Sequence, residues 1–273
     1  MRIFIDSADL EEIKTGISWG IIDGVTTNPS LIKKAIEKYG KGNFSMEDYI
    51  KELLRVAGRL RPVSLEVVSV DTKNMVIEGE VLYTKFNYVA NNVVIKIPIN
   101  PNIGAGNNFD GLLAAKELKN RGIPVNITLV MTAEQAMLAG KIGADYVSPF
   151  IGRIDDFLRT NANLPFKKSD YYPEEGIYLG DKLLEDNGAV SGVHMLSMIK
   201  EIFENYHFNT KIIAASVRNA RQVREVALLG CDIATVPFSV LVDLVNHPKT
   251  EEGMKNFIKD VEEEYKKIFE KGV

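Results

Sequence analysis

Asn92-Val-Val-Ile-Lys-Ile-Pro-Ile99 is an apolar run broken by one lysine, Lys96. Valine and isoleucine favour extended backbone, and a run that is apolar at successive positions reads as a strand covered on both faces. Such strands belong to parallel sheets, whose neighbours are joined by a crossover, usually a helix. The same kind of run recurs along the chain. The expected strands are Arg2–Asp6, Gly24–Asn28, Ser64–Val68, Asn92–Ile99, Val125–Val130, Tyr146–Ile151, Lys211–Ser216 and Ile233–Pro237. Between them lie stretches with apolar residues at helical spacing, and Ser45-Met-Glu-Asp48 and Thr132-Ala-Glu-Gln135 have the spacing of a capping box. Strand then helix, repeated about eight times over roughly 240 residues, is the size of a (β/α)₈ barrel. A doubly wound open sheet would show fewer strands and a phosphate-binding turn after the first. The expected fold is therefore α/β, a single TIM barrel domain over 1–273. An extra C-terminal helix is expected at Glu251–Lys271, with Phe257, Val261, Tyr265 and Ile268 packed against the barrel.

Composition narrows the function. The chain has 273 residues, 45% hydrophobic and 26% charged, which excludes a disordered or fibrous chain and allows a sizeable core. A net charge of −4 gives no basic field for nucleic acid or an anionic membrane. Cys231, the one cysteine, has no partner within the chain and fits a reducing compartment. The start meets Asp6 before any signal-peptide apolar region, and no apolar run approaches a bilayer span, so a cytoplasmic location is expected. His194, His207 and His247 are scattered, none at a strand end, so no metal is expected. Gly104-Ala-Gly106-Asn-Asn-Phe109 lacks the third glycine of a dinucleotide turn. Two long loops, Asn100–Asn108 and Asp155–Gly188, are expected on the active-site side.

Barrel enzymes place their chemistry at the carboxyl ends of the strands. Those ends carry Asp6; Thr26 and Asn28; Glu66; Lys96; Asn126 and Thr128; Ser148, with Phe150 and Arg153 just beyond; and Ser216 with Arg218. The eighth, Val236-Pro237-Phe238, offers nothing chemical. Lys96 decides the reading. Burial disfavours an ammonium, and a neutral amine is what condensation with a carbonyl requires. The alternative is a buried lysine paired with Asp6 or Glu66. Asp6 is a natural acid/base for a substrate hydroxyl, Glu66 and Thr128 suit a proton-shuttling water, and Asn28 and Asn126 suit polyol hydroxyls. Arg153, Ser216 and Arg218 suggest a phosphate clamp, since guanidinium forks match phosphate oxygens. Taken singly, each has a structural reading: Asp6 or Asn28 caps a helix, and the arginines pair with Asp155 or Asp156.

Five motifs, in order, resemble the transaldolase family: Asp23-Gly-Val-Thr-Thr-Asn-Pro-Ser-Leu31, Val94-Ile-Lys-Ile-Pro98, Asn126-Ile-Thr-Leu-Val130, Tyr146-Val-Ser-Pro-Phe-Ile-Gly-Arg-Ile-Asp-Asp156 and Ala214-Ala-Ser-Val-Arg-Asn219. The resemblance implies a (β/α)₈ barrel that moves a dihydroxyacetone unit between sugar phosphates through a Schiff base, with no metal or organic cofactor. It implies Lys96 as nucleophile, Asp6 as acid/base, and Glu66 with Thr128 holding the catalytic water. Asn28 and Ser148 then bind donor hydroxyls, Arg153, Ser216 and Arg218 the phosphate, and Thr26 and Phe150 line the site. The related fructose-6-phosphate aldolases share the lysine, but Glu66 and Phe150 favour transaldolase over aldolase. A sugar-phosphate sensor without turnover is the third reading. The expected partners are sugar-phosphate substrates and further copies of the chain in a homo-oligomer, with no nucleic acid and no membrane.

Overall fold

The computed structural model describes residues 1–39, 45–104 and 106–270. Ala105 in the expected 100–108 loop and Lys271 at the end of the expected tail helix lie outside the described residues. The chain runs β1 (Arg2–Asp6), α1 (Leu10–Ser18), β2 (Gly24–Thr26), α2 (Pro29–Tyr39), α3 (Met46–Ala57), β3 (Val63–Glu66), α4 (Thr72–Phe86), β4 (Val93–Pro98), α5 (Asp110–Asn120), β5 (Val125–Val130), α6 (Ala133–Lys141), β6 (Tyr146–Pro149) and α7 (Ile151–Asn161). It continues through β7 (Tyr178–Leu179), β8 (Lys182–Leu183), α8 (Gly192–Asn205), β9 (Lys211–Ala214), α9 (Ala220–Leu228), β10 (Ile233–Val236), α10 (Phe238–Asp243), α11 (Pro248–Lys259) and α12 (Glu263–Glu270). Eight of these strands, all parallel, close into a barrel in the order β1-β10-β9-β6-β5-β4-β3-β2, and β7 and β8 form a separate hairpin. This is the expected (β/α)₈ barrel. Among the described residues no helix is long and apolar enough to cross a membrane.

Burial explains the strand composition. Five of the six β4 residues are buried, because helices cover the outer face while the barrel interior covers the other. Phe4, Ile213 and Ile233 form a small cluster of their own, with Tyr146 against it, separate from the large core between barrel and helices. Gly24 leaves room for it: a Cβ there would stand 2.5 Å from the Phe4 ring. At both expected capping boxes the N-cap bond forms, Ser45 Oγ accepting from the Asp48 N–H (3.1 Å) and Thr132 Oγ1 from the Gln135 N–H (3.2 Å), while the Gln135 side chain accepts from the Met131 N–H instead of the N-cap.

Several strands stop short of their expected ends, for local reasons. β2 ends at Thr26, and Asn28 beyond it caps α2, its Oδ1 accepting from the Leu31 N–H at 2.9 Å. β9 ends at Ala214 because Ser216 adopts a left-handed φ of 62°. β6 ends at Pro149 and α7 starts at Ile151, so the expected 155–188 loop begins as helix and is irregular only after Asn161, apart from the β7–β8 hairpin. The tail also differs. It is two helices, α11 and α12, not one, and α11 buries none of its residues. Phe257, Tyr265 and Ile268 are exposed rather than packed on the barrel, because their stripe meets no apolar surface among the described residues.

Gly111 shows how tightly the helices seat on the strand ends. It opens α5, and a Cβ there would lie 1.9 Å from the Pro98 carbonyl oxygen and 2.7 Å from that of Ile99. Neither is the movable end of a side chain. Gly111→Ala is expected to cost about 1–3 kcal/mol through overpacking. Urea unfolding checks this, and the midpoint should fall with the slope unchanged.

Candidate active site

Register brings the chemistry together. Glu66 pairs with Lys96, and Lys96 with Asn126, across β3, β4 and β5. Partners in register point to the same face of a sheet, so these three side chains enter the barrel side by side. Lys96 Nζ lies 3.2 Å from Glu66 Oε2 and donates to the Thr27 carbonyl at 3.1 Å. The side chains of Lys96 and Glu66 are only 6% and 12% exposed. This is the paired arrangement set out above as the alternative, with Glu66 as the partner. At that distance the carboxylate is within reach of a proton on the amine.

Around Lys96 lies a cavity of about 190 Å³ lined by Asp6, Thr26, Asn28, Ser148, Phe150, Arg153, Ser216 and Arg218, all expected from the sequence. Lys168, Thr235 and Pro237 also line it. Burial pushes the Asp6 carboxyl above the usual carboxylate range, and Lys96, the Thr26 hydroxyl and Arg218 pull it only partly back. Thr26 Oγ1 donates to Asp6 Oδ1 at 2.8 Å and sits 2.5 Å from Thr235 Oγ1. The eighth barrel strand therefore does contribute a polar group, contrary to the sequence reading. Thr235 faces inward one residue before the strand ends, so attention to its last residues alone passed over it.

Asn126, Glu66 and Thr128 are not among the residues that line this cavity, although Glu66 reaches the lining residue Lys96. Asn126 is fully buried, donating to Ser64 Oγ at 3.2 Å and accepting from Ser148 Oγ at 2.8 Å. It thus holds the lining residue Ser148 by a hydrogen bond, beside the role toward substrate hydroxyls expected from the sequence. Thr128 is likewise fully buried, and its hydroxyl has no partner among the described residues. Next to it, Leu129 takes a φ of 55° where the pairing with β6 shifts register.

The cationic end of the cavity is built by turns, not by strands. The left-handed Ser216 costs about 1–3 kcal/mol of backbone strain, of the kind that collects at functional sites. It lets Ser216 and Arg218 reach the cavity although β9 has already ended. Arg218 pairs with Asp156 on α7 at 2.8 Å, and its buried Nε has no hydrogen-bond partner among the described residues. Arg153 lies over the Phe150 ring, 5.2 Å from its centre. Behind them Gln222 accepts from the Arg218 backbone N–H (2.8 Å) and donates to Asp155 Oδ2 (2.6 Å), while Asp155 Oδ1 accepts from the Gly192 N–H (2.7 Å). Four cations against Asp6 line a small cavity, which suits an anionic ligand. Among the described residues no three His, Cys, Asp or Glu side chains come together as a metal would require.

The family model described as Transaldolase/Fructose-6-phosphate aldolase matches residues 3–273. The chain is 40% identical over 269 residues to a probable transaldolase of Aquifex aeolicus, covering 98% of this chain and 100% of that one. It is 40% identical over 263 residues to a probable transaldolase of Thermoplasma acidophilum, covering 95% of each, and 39% identical over 269 residues to one from Hydrogenobaculum, covering 98% and 100%. In three dimensions it is similar to the flavin-binding domain of baker's yeast flavocytochrome b2, with a TM-score of 0.51 at 12% identity over 87% of this chain. The chain spans 57% of that structure's length, and the likeness is one of fold alone.

Asp155 supplies a test of the support behind Arg218. Burial pushes its carboxyl up to about 7, against the pull of the Gly192 N–H and Arg159. The folded protein thus holds this proton more tightly than the unfolded chain does. The group's contribution to stability is complete below about pH 4 and is lost as pH rises through about 7. Urea unfolding of wild type and Asp155→Asn should show the difference shifting in the variant's favour between about pH 5 and about pH 8. A difference independent of pH would refute this.

Proposed function

The chain belongs to the transaldolase and fructose-6-phosphate aldolase family, and from that premise we propose that it is a transaldolase, moving a dihydroxyacetone unit from one sugar phosphate to another. It is an enzyme of the transaldolase and aldolase kind; the finer reading rests on Lys96 standing 3.2 Å from Glu66 at the bottom of a cationic cavity. The proposed reaction is sedoheptulose 7-phosphate with glyceraldehyde 3-phosphate giving erythrose 4-phosphate and fructose 6-phosphate.

In this mechanism Lys96 passes a proton to Glu66 and its amine adds to the ketose carbonyl. Loss of water, with Glu66 and the unpartnered Thr128 hydroxyl holding the water molecule, leaves an iminium ion. Asp6 takes the proton of the hydroxyl on the far carbon of the scissile bond, so that this carbon becomes the aldehyde carbonyl. That bond breaks, its electron pair moves into the iminium as an enamine, and the phosphorylated aldehyde leaves. The acceptor aldehyde enters by the same mouth. The enamine carbon attacks it, Asp6 returns the proton to the new alkoxide, and water releases the product ketose. Asn28 and Ser148 meet donor hydroxyls, while Arg153, Ser216 and Arg218 meet the phosphate. Each of these side chains lines the cavity.

The raised Asp6 matters to this scheme. A base must be ionised to take a proton, so activity should fall on the acid side as pH drops through its folded value, which lies above the ordinary value of about 3.9. That limb of the kcat/KM profile should vanish in Asp6→Asn, with a residual rate about 10²–10⁴-fold lower.

The aldolase reading differs in one step, since the dihydroxyacetone unit leaves to water with no acceptor. Glu66 is the observation against it, being a carboxylate committed to Lys96. Borohydride with fructose 6-phosphate should trap a three-carbon adduct on Lys96, and Lys96→Ala should abolish both adduct and transfer. Acceptor-free release of dihydroxyacetone by wild type at a rate rivalling transfer would move the assignment to aldolase. Glu66→Gln should shift the balance in that direction.

A further inference from the structure

The segment after α7 carries a cation into the cavity that the scheme above leaves without a role. Lys168 lines the same cavity as Arg153, Ser216 and Arg218, is solvent-exposed, and makes no ion pair with a described residue. Its position is built. Asp170 N–H donates to the Lys167 carbonyl at 2.9 Å, and Lys167 N–H to Asp170 Oδ2 at 2.7 Å, closing a tight turn around residues 168 and 169. The buried Arg159 of α7 donates to the carbonyls of Asp170 (3.2 Å) and Tyr171 (2.7 Å). On the α9 side, Tyr171 donates its hydroxyl to Glu225 at 2.6 Å, and its ring lies 3.8 Å from the Arg221 guanidinium carbon. Asn219, adjacent to Arg218, donates to the Ser169 carbonyl at 3.4 Å. The turn that presents Lys168 is therefore tied to the residue next to Arg218, and an otherwise irregular segment holds one lysine at the mouth.

We propose that Lys168 is a specificity-determining residue that, with Arg153 and Arg218, binds the phosphate of the substrate's far end and selects phosphorylated over unphosphorylated sugars. The proposal rests on the sugar-phosphate reading given above. A phosphate carries close to two negative charges at neutral pH, and Arg218 already shares its charge with Asp156, so a further unpaired cation raises the field where the anion sits. Being exposed, Lys168 acts through a screened interaction and also draws anions in from solution.

The test uses the full chain and inorganic phosphate as probe, titrated by calorimetry. Lys168→Gln should weaken phosphate binding about tenfold, the scale of one lost charge-assisted hydrogen bond, and Lys168→Arg should largely preserve it. Wild-type affinity should fall more steeply with ionic strength than that of Lys168→Gln. With fructose 6-phosphate, KM should rise about tenfold in Lys168→Gln and kcat stay within about twofold, while borohydride trapping of unphosphorylated dihydroxyacetone on Lys96 stays unchanged. Tyr171→Phe, which loosens the turn, should move phosphate affinity in the same direction by less. Phosphate affinity within about twofold of wild type in Lys168→Gln, or an equal loss of dihydroxyacetone trapping, overturns the proposal. The two readings fail separately: absence of any Lys96 adduct in wild type removes the transaldolase assignment, whereas the phosphate affinity of Lys168→Gln against wild type is read without any adduct.

Discussion

A lysine and a glutamate that face each other at 3.2 Å inside the barrel wall set the terms for the rest of the molecule. Removing two charges from water costs several kcal/mol per ion, and pairing them rarely returns more than that, so the contact is a poor device for stability. Its position makes sense as chemistry. A protonated amine is no nucleophile, and a fully buried amine with no neighbouring base has no means of shedding its proton. In the proposed mechanism Glu66 is that base, 3.2 Å away, and the Thr27 carbonyl accepts from the Nζ on another side. The parallel register of β3 against β4 is what makes the pair possible, since it lays Glu66 beside Lys96 whatever the loops do.

The two ends of the cavity follow different structural rules. In the proposed reading the end that meets the carbon chain is made chiefly of strand residues, Asp6, Thr26, Lys96 and Ser148, held by the hydrogen-bond ladder of the barrel. The cationic end, proposed to meet phosphate, is made of turn and loop residues, with Ser216 in a left-handed conformation and Arg218 held by Asp156 and Gln222. Bond-making chemistry tolerates little displacement, whereas a charge-to-charge contact with a phosphate weakens gradually with distance. Rigid parts stand where a small misplacement would halt the reaction, and loops where it would not.

This division also explains how much the sequence revealed. The barrel was legible because strands covered on both faces read as unbroken Val and Ile runs, and Lys96 was conspicuous as the polar residue in one of them. Strand starts were placed better than strand ends. Asn28 and Ser216 look extended by composition yet turn for reasons of capping and of a left-handed φ that no propensity records. Asn126 has the residue type of a substrate ligand, and its hydrogen bonds to Ser64 and Ser148 appear only in the fold. Thr235 was hidden because a single threonine in a buried strand carries no signal of which face it occupies. Lys168 was harder still, since it lies in a segment with no periodicity and is placed by contacts to residues on α7 and α9. The tail was misjudged for the opposite reason: its apolar stripe is genuine, but a stripe does not say what it packs against.

In the proposed transfer, the leaving aldehyde and the incoming acceptor carry their phosphates into the same cations, one after the other. Tight phosphate binding would then hold the first product and keep the second substrate out while water competed for the enamine. Cations with graded exposure fit that requirement. Arg218 is partly buried and already neutralised by Asp156, so it positions a phosphate without holding it strongly, while Arg153 and Lys168 are exposed, where screening limits affinity but long-range attraction speeds arrival. Capture that is fast and weak shortens the interval in which the enamine stands open. The same arrangement that attracts sugar phosphates thus also favours transfer to an aldehyde over loss to solvent.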